Sequence, residues 1–225
     1  QMVTLNVATC FRMDNELGSI TPGKCADIVF LDGLDTLNVT RTIIDGDVVA
    51  EDGAVLFPLG SYGYPAWVTR SMHLKDEITP DSFAVPVPAE AADEDTVTVR
   101  TIEIIPGKVG AFETHVDLPV VNGKLESSLA QDVLKTFVFE RHHETGTYGV
   151  GFTKGFGIQR GAMASTVAHD AHNLLVVGTN DADMALAANT LIQCGGGMVV
   201  VADGEVLGLV ELPIAGLMDD LGAEQ

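Results

Sequence analysis

Three of the chain's four Asp-Gly pairs, each set between short apolar runs, constrain what it can fold into more than any other feature: Asp45-Gly46, Asp52-Gly53 and Asp203-Gly204. A two-residue type I′ hairpin turn needs positive φ at both central positions, and Asp followed by Gly meets that need at low cost. The spacing therefore predicts one hairpin between Val39–Ile44 and Asp47–Glu51, a second onward to Ala54–Phe57, and a third joining Met198–Ala202 to Glu205–Leu209. An earlier segment, Asp27–Leu31, has the same strand character. Antiparallel sheet is the expected ground plan at both ends of the chain.

Between these ends the pattern changes. Val3 to Leu17 places apolar side chains near a 3.6-residue period, with Gly18 as a stop, and predicts a short amphipathic helix. Pro58 to Ala92 is rich in proline and poor in periodicity and reads as a connector. Its aromatic run of Tyr62, Tyr64 and Trp67 fits a substrate surface or, more simply, a pin onto a domain face. Strand-like runs follow at Thr96–Ile105, Phe112–Val121 and Val133–Arg141. The Gly-rich stretch Gly149–Gly157 matches neither phosphate-loop pattern and is expected as a packing or loop element. Asn180 or Thr179 can cap a helix that runs to Cys194 and ends at Gly195, with Asp181 and Asp183 at the positive end of its dipole. The class this implies is α+β.

Of the 225 residues, 46% are hydrophobic, enough for a real core, and 32 acidic against 12 basic residues give a net charge of −20. Such a surface repels phosphates, so neither nucleic acid nor an anionic membrane is an expected partner. No apolar run approaches the length of a membrane span. Cys10, Cys25 and Cys194 form neither a disulfide framework nor a zinc ribbon, and point to a cytoplasmic setting. The chain opens on Gln1 inside the first helical pattern, as a cut polypeptide would.

Candidate chemistry concentrates at Ser165-Thr166-Val167-Ala168-His169-Asp170-Ala171-His172-Asn173. Beside a cleft, His169 and His172 can move protons or donate hydrogen bonds, since imidazole titrates near neutrality, and Asp170 can orient either ring. The competing reading is that these side chains satisfy buried backbone groups at a turn. A site in which His169 and His172 bind a metal by themselves ranks last, because two imidazoles do not complete a tetrahedral shell. His142 and His143 end a strand-like run; neighbours on a strand point to opposite faces, so one of them at most is expected at a shared site. The sequence contains no H-x-H, no H-E-x-x-H and no G-x-S-x-G.

Two blocks carry a likeness. Gly18-Ser19-Ile20-Thr21-Pro22-Gly23-Lys24-Cys25-Ala26-Asp27-Ile28-Val29, with Ile44-Asp45-Gly46 after it, is similar to the small β-domain that follows the barrel of amidohydrolases. Glu140–Gly146, Gly151–Gly157, Ala164–Asn173 and Leu212–Met218 resemble the C-terminal domain of the adenine deaminases, within that superfamily. One departure is Ala171, where the pattern has Ser. The resemblance implies four stretches: 1–17 as the last barrel-associated helix, 18–57 as part of a composite β-domain, 58–92 as the connector and 93–225 as the C-terminal α+β domain. It implies no TIM barrel in this chain. It implies hydrolysis of adenine to hypoxanthine and ammonia by a parent enzyme with a binuclear divalent metal, manganese, iron or zinc, held by barrel residues. No cofactor is then expected on this chain alone. The partners implied are an N-terminal barrel portion, adenine and further copies of the chain in a homo-oligomer. Catalytic residues are not assigned. His169, Asp170, His172, Asn173, Ser165, His142 and His143 are expected to face the active site, with the Gly-rich segment closing over it. A module that only stabilises the barrel or its oligomer is the alternative.

Overall fold

The backbone at those three Asp-Gly pairs does what a type I′ turn demands: Asp45, Asp52 and Asp203 lie at φ 51°, 49° and 56°, each followed by a glycine also at positive φ. A fourth such pair, Asn122-Gly123, turns a further hairpin. The computed structural model describes residues 1–58, 60, 62–219 and 221. They divide into two units, Gln1–Ser61 and Tyr62–Gln225.

The first unit opens with helix α1 (Leu5–Cys10) and continues as a sheet of β1 (Ile28–Leu31), β2 (Val39–Ile44), β3 (Asp47–Glu51) and β4 (Ala54–Val55). The strands pair antiparallel in sequence order. The helix is shorter than its apolar period predicts. Arg12 turns to φ 58°, and the Met13 N–H reaches back to the Ala8 carbonyl at 2.8 Å, a closing pattern that ends a helix whatever apolar residues follow. Ala8 is the one buried side chain among the unit's described residues. Its four-stranded sheet covers neither face.

The second unit carries a real core. After a single helical turn, α2 (Ala66–Thr69), come β5 (Thr96–Ile104), β6 (Ala111–Val121), β7 (Lys124–Leu125), β8 (Val133–Phe139), β9 (Tyr148–Lys154), β10 (Ala162–Ser165), β11 (Leu174–Gly178), α3 (Asp181–Cys194), β12 (Gly197–Ala202) and β13 (Glu205–Glu211). They form one nine-stranded sheet in the order β13-β12-β10-β11-β8-β9-β5-β6-β7. Neighbours run antiparallel except β5 and β9. The class is α+β, as the sequence implies, and the described residues include no barrel.

Helix α3 lies on one face of this sheet. Asn180 caps it by accepting the Asp183 N–H at 2.9 Å, and Gly195 closes it at φ 88°. Met184, Ala188 and Leu191 pack onto Ala162, Ala164, Val176, Val199 and Val201 of the sheet. The proline-rich stretch does more than connect. Ile78 and Phe83 are buried in the same core, and the Phe83 ring stands edge-on to Phe137 and Phe139, at 5.0 and 5.5 Å between centroids. Asn189 of α3 donates to the Ile78 carbonyl at 2.8 Å. Single residues on short turns perform this packing, so no period announces it.

The Gly-rich segment differs from expectation. Gly149 to Lys154 lies within β9, paired residue by residue with β8. Gly149 and Gly151 alternate with Tyr148, Val150 and Phe152, and a period of two is a strand signal even when one face is bare. A strand fixed between β8 and β5 cannot close over a site.

Where α3 packs on β11, the Met184 side chain lies against the bare backbone of Gly178. A Cβ there would run into the Met184 side chain and lie 2.8 Å from the Cβ of Ala162. Gly178→Ala should therefore destabilise the second unit by about 1–3 kcal/mol, seen as a lower denaturation midpoint at unchanged m-value.

Candidate functional site

Strand β8 reads Val-Leu-Lys-Thr-Phe-Val-Phe and runs straight on into Glu140-Arg141-His142-His143-Glu144. Its apolar residues carry the chain through the core and deliver Arg141 to the end of the sheet while it is still 1% exposed. A buried guanidinium must find acceptors for its N–H groups. Nε donates to the His172 carbonyl at 2.6 Å, Nη1 to the Ser71 carbonyl at 2.9 Å and the Ser71 hydroxyl at 3.2 Å, and Nη2 to the Ala215 carbonyl at 3.0 Å. Burial pushes its pKa down. Its own carbonyl accepts the His73 N–H at 2.8 Å. Residues 71–73, 140–147, 166–173 and 213–218 thus meet at one end of the sheet.

Thr166 makes a second knot there. Fully buried, its hydroxyl donates to the Gly216 carbonyl at 2.6 Å and accepts the Gly197 N–H at 2.7 Å. Gly216 must be glycine: a Cβ on it would sit 2.8 Å from Nη2 and 3.0 Å from Cζ of Arg141.

Most of the residues singled out from sequence lie at this end. Ser165 ends β10 and accepts the Val167 N–H at 3.1 Å. His169 and Asp170 pair with each other on the loop and are 83% and 86% exposed. The His169 and His172 rings stand 5.8 Å apart. His172 sits at φ 51°, its N–H on the Ala168 carbonyl at 2.7 Å. Its Nδ1 and the neighbouring Asn173 Oδ1 are buried with no hydrogen-bond partner.

The two adjacent histidines part ways. His142 Nε2 meets the Ala171 carbonyl at 3.1 Å and so joins the loop. His143 turns to Glu140, with Nδ1 3.3 Å from Oε1. Sequence reasoning gave no separate role to Arg141, Thr166, Glu140, Ser71 or Gly216. An arginine that follows an apolar strand reads equally well as a solvated strand end, so no local signal singles it out.

Glu140 organises the turn that follows. Desolvation works to raise its pKa. Hydrogen bonds from the His142 N–H, from the Thr145 hydroxyl and N–H, and from His143 outweigh that and bring it from 4.5 to about 2. A cleft of about 190 Å³ opens beside it, walled by Phe139 and Tyr148. Asp76, Glu77, Asp81 and Glu140 line it against Lys75 alone, a field that suits neutral or cationic occupants. Among the described residues no three His, Cys, Asp or Glu side chains converge as a metal shell would require. No helix among the described residues is long and apolar enough to cross a membrane.

Residues 110–225 match the family model described as the adenine deaminase C-terminal domain, and residues 1–49 that of the amidohydrolase family. The chain is 61% identical over 225 residues to an adenine deaminase of Clostridium botulinum (strain ATCC 19397 / Type A). Identity is 49% to that of Moorella thermoacetica and 43% to that of Roseobacter denitrificans. All of this chain is covered in each case, and it spans 37% of each relative's length.

The Glu140 pKa gives a pH test. A carboxylate whose folded pKa lies below its unfolded one stabilises the fold above the unfolded value, and that contribution is lost as pH falls from about 4.5 through about 2. Thermal midpoints of the natural protein should drop across this window. In Glu140→Gln the midpoint should start lower at neutral pH and fall less.

Proposed function

The chain belongs to the adenine deaminase C-terminal domain family, and on that premise we propose that it is part of an adenine deaminase and completes the substrate site with the loop from Thr166 to Asn173. The observation that carries this reading is the pair of buried polar atoms left unpartnered on one loop, His172 Nδ1 and Asn173 Oδ1. Buried polar groups in folded proteins are bonded almost without exception. Two in succession, on a loop whose crest exposes His169 and Asp170, mark a segment whose polar groups the fold itself does not use up.

The chemistry suits adenine. A side-chain amide can donate to N7 of the purine while accepting from its exocyclic amine, a pairing that Asn makes well. Imidazole can take or give a proton near neutral pH, and the carboxylate of Asp170 lies against His169 and can hold that ring. Deamination needs a proton delivered to the departing amine. On this reading His169 and His172 supply it.

The metal is another matter. The described residues do not provide a shell for it. A binuclear manganese, iron or zinc centre, which activates water when bound, falls to residues of a barrel portion outside this chain. Three free cysteines, two of them exposed, support a reducing cytoplasmic setting. Met198, Val200 and Val210, exposed together on one face of β12 and β13, support an oligomer of copies.

In the whole natural protein, His169→Ala and His172→Ala should each lower kcat/KM for adenine, by roughly 100-fold or more where the ring handles a proton, with thermal midpoints near the natural value. Unchanged kcat/KM in both, with lower midpoints, would return the loop to a purely structural role.

A further inference from the structure

We propose that Arg141 is a positioning residue for adenine deamination, setting His172 and Asn173 in place through the backbone of the loop that carries them. The inference rests on the reading that this loop faces the substrate. It assigns a role to a residue that touches neither substrate nor metal.

The loop has two tethered feet and a crest that His142 touches at the Ala171 carbonyl. At its first foot Thr166 bridges the Gly216 carbonyl and the Gly197 N–H. At its second foot the His172 carbonyl accepts from Arg141 Nε at 2.6 Å, the shortest of the guanidinium's hydrogen bonds. Between them the side chains of His169 and Asp170 are exposed and bonded to each other. The second foot carries the two orphaned atoms, so the direction of His172 Nδ1 and Asn173 Oδ1 follows from where Arg141 holds that carbonyl.

The geometry of the holder matters as much as its charge. A guanidinium presents its donors in one rigid plane, and here they go to residues on three separate stretches, Ser71, His172 and Ala215. Gly216 lies flat against that plane, where any side chain would collide with Cζ. A lysine at the same place keeps the charge, but its three N–H groups diverge from one nitrogen and do not span the separated carbonyls that the guanidinium reaches from three nitrogens. The loop would then be free to settle on other partners, while the apolar core of β8 stays filled.

The test uses the whole natural protein. Arg141→Lys should raise amide hydrogen exchange across residues 166–173, leave exchange in β12 unchanged, and lower kcat for adenine by roughly 100-fold, as misplacement of a reacting group by about 1 Å does, with KM near the natural value. In Arg141→Ala, guanidinium ion at low concentration should restore part of kcat and ammonium should not. Natural exchange at 166–173 in Arg141→Lys would overturn the inference. Raised exchange there with natural kcat and KM would instead overturn the reading on which it rests, since the loop would have moved without consequence for the substrate.

Discussion

A guanidinium 1% exposed at the end of a sheet is a demand that the surrounding chain must meet, and the architecture around Arg141 follows from meeting it. Taking an unpaired charge out of water costs several kcal/mol even after relaxation. The cost is offset here by carbonyl groups from three stretches far apart in sequence, at Ser71, His172 and Ala215. Each of these carbonyls would be orphaned in turn if the guanidinium left. Stretches far apart in sequence are therefore bound into one assembly by hydrogen bonds, with Thr166 as a second clasp.

Strand β8 carries a second buried cation, and the contrast is instructive. Lys135, near the start of the strand, is fully buried but pairs with two carboxylates, Glu126 at 2.8 Å and Asp181 at the first turn of α3. That pairing ties the helix to the sheet and more than offsets the ammonium charge. Arg141 is held by dipoles alone and keeps its charge uncompensated at the end where the histidines gather. One end of β8 serves the fold, and the other orders a loop with polar atoms to spare.

How far this was legible from sequence depends on what kind of signal each part carries. The hairpins were readable because Asp-Gly states its own backbone conformation, and α3 because Asn180 and Gly195 bracket it at both ends. The reach of α1 was not, since the turn at Arg12 is a backbone event with no marker residue. Phe83 was invisible because one aromatic on a short turn has no period. Gly149 and Gly151 misled, being glycines that read as loop while alternating as strand. At the site, the polar cluster from His169 to Asn173 showed itself by density. Arg141 did not, because a charged residue just past a strand's end reads as solvated, and only the arrival of residues 71, 172 and 215 reveals it as buried. That His142 turns to the loop while His143 turns to Glu140 likewise depends on contacts no local pattern encodes.

The central claim is that this end of the sheet meets the purine. The most direct measurement is amide hydrogen exchange of the whole natural protein with and without saturating hypoxanthine, the product of the proposed reaction. The account predicts slower exchange at residues 166–173 and 140–147, and no change in β12 and β13. Exchange in both loops that ignores the purine, in a preparation shown to bind it, would contradict the account.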